Sequence, residues 1–381
     1  MPNRSTPGIE RNAAPYLHGT EYAALAAVLA AGHYGHTEVT EAFEREVAAF
    51  LGVPEVVAVA SGTAALHLAL RAAGIGPGDE VLVPSLTFCA SVQAVLAAGA
   101  QPRFLDVDPT TLCVTGEHVR TALTPATRAV MPVLYGGRPV DLTALRAEFA
   151  DRGIVVVEDA AHAFGSVTLD GTPVGATGNL TCFSLGPIKN LTCGQGGLIV
   201  PRDAEEAERA RSLRGLGIVE TSAIRAAATS YTVAAAGWRE QMSALNAAIG
   251  RAQLSGFGVV AARRKQLWRA YRTALSTVKG VRVVDVDVDH AVPSLCAVLV
   301  LTQPRDAVFH HLRGQGIGVG AHYPPNHLQP AFATWRRTLP ATESVAGKIL
   351  TLPFHPHLDP ADVERTVVAL ECALATVKAL R

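Results

Sequence analysis

Val56-Val57-Ala58-Val59-Ala60-Ser61-Gly62-Thr63-Ala64-Ala65-Leu66-His67-Leu68-Ala69-Leu70 passes from a continuous apolar run through a small polar turn into an Ala/Leu-rich helical pattern. An uninterrupted β-branched run marks a strand buried on both faces, and Ser-Gly-Thr supplies the chemistry that starts a helix. The alternation recurs outward from about residue 45 to residue 200. Further apolar runs lie at Glu80–Val83, Gln101–Asp106, Ala129–Val133, Ile154–Val157, Leu180–Ser184 and Leu198–Val200. Helical patterns lie at Ala64–Ala73, Ser91–Ala97, Leu142–Phe149 and Glu205–Leu213. The pattern predicts an α/β fold with a mainly parallel sheet covered on both faces. The Gly-Gln-Gly-Gly turn at 194–197 feeds straight into the last run, so one antiparallel neighbour is expected.

Beyond about residue 240 the texture changes. A long helix is predicted from Ser243 to about Ala274, interrupted near Gly256 and Gly258. Short strands near Val281–Val284 and Leu295–Leu301 follow, then helices near Arg305–Gln315 and Asp359–Leu380. We therefore expect a large domain over 1–242 and a smaller α+β domain over 243–381 with a linking helix, the N-terminal segment packing on the smaller one.

The 381 residues carry a formal net charge of zero. Nucleic acid and anionic membranes usually demand a basic excess, so neither is an expected partner. No run is long enough to cross a bilayer, and the first residues lack the apolar stretch of a secretory signal. The six cysteines are scattered with no C-x-x-C pair, which argues against zinc or a disulfide framework and for a reducing cytoplasm. No metal is expected.

Four features fall at predicted strand ends, where such sheets collect ligands. Ser61-Gly62-Thr63-Ala64 can cradle a phosphate at a helix N-terminus, although an ordinary turn needs the same residues. Glu158-Asp159 closes a buried strand, and a carboxylate there requires a cation or donors. His162 follows three residues later; alone it reads as a hydrogen-bonded structural histidine more readily than as a catalytic one. Thr87-Phe88 offers an aromatic face, for packing or for stacking on a heteroaromatic ring. Lys189 is one of five lysines, and the other four all lie in the last third of the chain. Alone it reads as a solvated loop lysine; set among glycine and apolar residues, its amine could instead be desolvated, less basic and more nucleophilic, as Schiff-base chemistry requires. Together these are the parts that pyridoxal 5′-phosphate needs.

Ala60-Ser61-Gly62-Thr63, Val83-Pro84-Ser85-Leu86-Thr87-Phe88, Glu158-Asp159-Ala160-Ala161-His162, Phe183-Ser184 through Lys189-Asn190-Leu191, Gly194-Gln195-Gly196-Gly197, Met242 through Gly250 and His322-Tyr323-Pro324-Pro325-Asn326-His327 resemble, in order and spacing, the DegT-type (DegT/DnrJ/StrS) sugar aminotransferases. The resemblance covers nearly the whole chain. It implies fold type I of the pyridoxal-phosphate enzymes and a homodimer with active sites at the subunit interface. It implies that Lys189 carries the cofactor and moves the proton, and that Asp159 pairs with the pyridine nitrogen. His162 would stand near the ring hydroxyl, and Phe88 would stack on the ring. Ser184 and the backbone of Gly62, Thr63 and Ala64 would hold the phosphate.

Two departures stand out. Arg239 replaces the family's Asn that reaches the partner's phosphate, and Gln195 replaces a Glu. A deoxygenating branch of the family carries His in place of the lysine, so Lys189 argues for amination.

The implied reaction is a ping-pong transamination through the pyridoxamine form. Glutamate or glutamine would be the donor, and a nucleotide-linked 4-keto-6-deoxyhexose the acceptor. Tyr323, His322 and His327 could line the sugar cleft or simply pack in a Pro-rich loop. The alternatives are a keto-cyclitol or 3-keto sugar as acceptor, or a non-catalytic cofactor-binding regulator. The regulator would be expected to lack Lys189 or Asp159. A dinucleotide oxidoreductase is disfavoured, because no G-x-G-x-x-G follows the first strand.

Overall fold

The apolar runs become strands because their β-branched residues can be buried on both faces, and helices supply that cover. The computed structural model describes residues 7–220, 224–225 and 227–379. Seven strands are β1 (Val57–Val59), β2 (Glu80–Pro84), β3 (Gln101–Leu105), β4 (Thr127–Val130), β5 (Val155–Asp159), β6 (Leu180–Ser184) and β7 (Gly197–Val200). They lie in the order β1-β7-β6-β5-β4-β2-β3. The β3-β2-β4-β5-β6 pairings are parallel, and β7 runs antiparallel between β6 and β1. This is the α/β architecture of fold type I.

Strand β7 fixes the geometry of the site. Gly197 pairs with Ser184 of β6 on one side and with Val59 of β1 on the other. A Cβ on Gly197 would lie 2.2 Å from the Ser61 carbonyl oxygen, so only glycine lets the three segments converge. The carboxyl ends of β1, β5 and β6 thereby share one edge of the sheet.

A second sheet has the order β10-β9-β8, all antiparallel, from β8 (Val281–Val283), β9 (Cys296–Val300) and β10 (Ile349–Leu352). The first segment of the chain lies against it. The Gly318 amide donates to the Ile9 carbonyl at 2.7 Å, and the Phe354 amide to the Asn12 carbonyl at 2.8 Å.

The long helix expected from Ser243 is two helices, Ala244–Ser255 and Phe257–Leu275, broken at Gly256. Only glycine fits at the break, because a Cβ at Gly256 would sit 2.5 Å from the His18 ring. The helix expected at Leu142–Phe149 starts as a 3₁₀ turn and becomes α-helical over Arg146–Arg152. Helices Thr20–Ala31 and Glu38–Leu51 lie ahead of the predicted pattern, and β10 is a strand the sequence did not suggest.

Candidate active site

Ser61 caps the helix Gly62–Ala72, its hydroxyl accepting from the Ala64 amide at 3.1 Å. Helix geometry leaves the Gly62 and Thr63 amides without intrahelical partners, at the positive end of the dipole. Ser184, the last residue of β6, stands against this turn. A Cβ on Gly62 would meet the Ser184 Cβ at 2.6 Å and its hydroxyl at 2.9 Å. Two free amides and a hydroxyl so close together suit a phosphate.

Strand alternation separates the two acids of β5. Glu158 is buried on one side, where it accepts from Asn179 and Thr181, each at 2.8 Å. Asp159 is buried on the other side. It accepts from the Ser91 hydroxyl at 2.7 Å and from the Ala161 amide at 3.2 Å. Burial pushes its carboxyl above the ordinary range, while Ser91, Ala161 and the charge of Lys189 oppose the rise.

Lys189 follows β6 in a loop held at several points. The Leu185 amide donates to the Gly196 carbonyl at 2.8 Å, and the Cys193 amide to the Leu185 carbonyl at 3.0 Å. The Asn190 side chain donates to the Val292 carbonyl at 2.9 Å. Part of the lysine remains open, but its amine lies deep enough that desolvation lowers its pKa from 10.5 to about 8; Asp159 opposes the shift and Arg264 adds to it.

His162 receives the Gly136 amide on Nδ1 at 3.4 Å and lies 3.1 Å from the Tyr323 hydroxyl through Nε2. That arrangement places its proton on Nε2. Burial, then the charges of Lys189, His322 and Arg264, hold the imidazole well below its usual pKa, so it is neutral. Tyr323 stacks on His162 at 6.1 Å between ring centroids and lies 5.9 Å from Phe88. Phe88 itself is 57 % exposed, an open aromatic face. His322 is fixed by Thr351 at 2.8 Å and accepts the Tyr135 hydroxyl on its carbonyl at 2.7 Å.

Two expected residues stand apart from this group. His327 is fully buried between Ser85, at 2.6 Å, and Glu343, at 3.2 Å, so it packs and presents no wall to a ligand. Arg239 is exposed on an arm whose backbone bridges to Gly215. That arm is tied to the end of β1 by the Ala60 amide, which donates to Glu240 at 2.8 Å. Among the described residues no group of three or more acid, His or Cys side chains could hold a metal ion.

The donor set fits pyridoxal phosphate. The buried Asp159 has too little compensation for its charge, and a protonated pyridine nitrogen would supply it. The amine of Lys189, the Gly62–Ser184 cradle and the open Phe88 ring meet the remaining needs of the cofactor. Fold and site thus define a fold type I, pyridoxal-phosphate-dependent aminotransferase.

The DegT/DnrJ/EryC1/StrS aminotransferase family model matches residues 15–371, and the chain belongs to that family. The aminotransferase TlmJ from Streptoalloteichus hindustanus is 35% identical with a TM-score of 0.89, over 97% of this chain and 99% of that one. DesV from S. venezuelae, solved in complex with a ketimine intermediate, is 36% identical with a TM-score of 0.87, over 95% and 98%. The sugar aminotransferase CalS13 from Micromonospora echinospora is 32% identical with a TM-score of 0.87, over 97% and 100%.

Proposed function

We propose that the protein transfers an amino group from glutamate or glutamine to a keto-sugar, a nucleotide-linked 4-keto-6-deoxyhexose, in the making of an amino sugar for a natural product or a cell-surface glycan. The observation that carries it is the gathering of the buried Asp159 and the Gly62–Ser184 cradle at the strand ends beside Lys189, whose amine is desolvated and feels the Asp159 charge. The named function of CalS13 and the family match support a sugar as acceptor.

Bound in the cradle, pyridoxal phosphate supplies an electron sink that makes the carbon bearing nitrogen acidic. The chain's residues do the rest. The amines of a lysine population with pKa near 8 are partly neutral at working pH, able to attack a carbonyl carbon and later to accept and return a proton. Asp159, whose rise in pKa Ser91 and the Ala161 amide oppose, would pair with a facing pyridine nitrogen and keep it protonated. Gly62, Thr63, Ala64 and Ser184 would hold the phosphate, Phe88 would supply the stacking face, and neutral His162, paired through Nε2 with the Tyr323 hydroxyl, would stand near the ring hydroxyl. His322 and Tyr323 face the substrate side.

A second copy of the chain completes the site in this account. The arm bearing Arg239 exposes Val219, Tyr231 and Val233, apolar surface suited to a partner, and Arg239 would reach the partner's phosphate. A reducing cytoplasm accords with six free cysteines, four of them buried.

A panel test decides the acceptor. The enzyme in its pyridoxamine form is mixed with nucleotide keto-sugars, 3-keto sugars and keto-cyclitols, and return of the yellow absorbance is followed. Fastest return with a 4-keto-6-deoxyhexose nucleotide supports the proposal. Turnover confined to cyclitols or 3-keto sugars overturns the acceptor, and none with any carbonyl overturns the reaction.

A further inference from the structure

Arg264 sits in the middle of helix Phe257–Leu275 and is only 2 % exposed. Its partners are few. Nη1 donates to the Ser294 carbonyl at 3.3 Å, and Nη2 reaches the Ile188 carbonyl at 3.5 Å, both long contacts. Nε is buried with no partner, as is the hydroxyl of Ser294. The guanidinium lies 5.7 Å from the centre of the Phe354 ring. Among the described residues no carboxylate pairs with it.

A buried arginine without an acid is costly, because its charge is desolvated and only two long carbonyl contacts and an aromatic face offset it. An apolar side chain of similar length would pack this position more favourably. What distinguishes the position is its neighbour: Ile188, whose carbonyl the guanidinium contacts, immediately precedes Lys189. The titratable groups that feel Arg264 are Lys189 on the loop after β6, His162 after β5 and His355 after β10. Asp159 and His322 are the other titratable groups whose charges couple to Lys189.

We propose that Arg264 is a positioning residue for Lys189: its unpaired positive charge holds the neighbouring amine towards the neutral, nucleophilic form, and its contact with the Ile188 carbonyl keeps that amine in place. The inference rests on the assignment of Lys189 as the reactive amine. Asp159 alone would favour the ammonium; Arg264 opposes it, and the amine is left poised between the two. The direction agrees with the lowered basicity of Lys189, to which Arg264 contributes after burial.

The test reads the amine directly. Cofactor-free protein is trace-acetylated across a pH series, and labelling of the Lys189 peptide is quantified by mass spectrometry, with Lys279 and Lys348 as internal controls. Arg264→Met should move the Lys189 midpoint upward by about 1 unit, the size expected of one neighbouring charge. Arg264→Lys should hold it near the wild-type value. The controls should not move. If Arg264→Met does not fold, Arg264→Gln carries the same comparison. A midpoint unchanged in the uncharged variant, or one shifted equally in Arg264→Lys, overturns the proposal and leaves Arg264 a packing residue. A shifted midpoint in a protein that takes up no pyridoxal phosphate would instead sink the functional assignment and leave this coupling standing.

Discussion

The Ser91 hydroxyl donates to Asp159 Oδ2 at 2.7 Å and lies 2.9 Å from the Thr87 hydroxyl, tying the helix after β2 to the end of β5. This relay opposes the burial that raises the pKa of the Asp159 carboxyl. A hydrogen bond to a charged group contributes about 1.5–3 kcal/mol. Ser91→Ala should therefore weaken retention of the cofactor by roughly tenfold or more, read by fluorescence titration of cofactor-free protein. Thr87→Val, one step removed, should have the smaller effect. Equal cofactor affinity in Ser91→Ala and wild type would remove Asp159 from the account.

Gly62 predicts a steric outcome. An added methyl meets the Ser184 side chain at 2.6 Å, a distance that forces movement. Gly62→Ala should cost about 1–3 kcal/mol of stability, as overpacking does, and lower cofactor affinity more than Thr63→Ala. Thermal melts with and without pyridoxal phosphate check both.

Lys189 makes stability depend on pH. Its pKa falls from 10.5 to about 8 in the folded chain, so between those values the unfolded chain binds more protons. Stability of the cofactor-free protein then rises with pH over that window, and the cost is fully present below about 8. Lys189→Met should melt higher than wild type at pH 7, with the gap closing towards pH 10.5. A gap that does not change with pH would contradict the desolvation of this amine.

Arg239 is exposed, and among the described residues its side chain makes no hydrogen bond or ion pair, so Arg239→Ala should change stability by no more than about 0.5 kcal/mol, as surface changes do. The same substitution should weaken cofactor retention if the arm serves a second copy. Mixing it with Lys189→Ala should restore part of the activity through hybrid dimers.

Much of this was legible in the residues. The continuous apolar runs at 154–157 and 180–184 pointed to a covered, mainly parallel sheet, and the Gly-Gln-Gly-Gly turn at 194–197 signalled the antiparallel β7. Glu158 and Asp159 were adjacent in sequence, and only the strand's alternation decided which faces the site. Ser91 was silent because its partner lies 68 residues away and a serine in a helix has no signature of its own. Arg264 was hidden in Arg263-Arg264-Lys265, which reads as a solvated helix face. Its spacing from Val260, Leu267, Trp268 and Tyr271, all buried, places it on the apolar stripe and is the signal that could have found it. His327 could be read either as a wall of the sugar cleft or as packing in a Pro-rich loop, and its bonds to Ser85 and Glu343 inside the protein decide for packing.

The most direct measurement is borohydride reduction of the purified protein with pyridoxal phosphate, followed by peptide mapping. The account predicts one labelled peptide, carrying the cofactor on Lys189, and loss of that label in Lys189→Ala. Label on another lysine, or none at any pH at which the protein is folded, would contradict it.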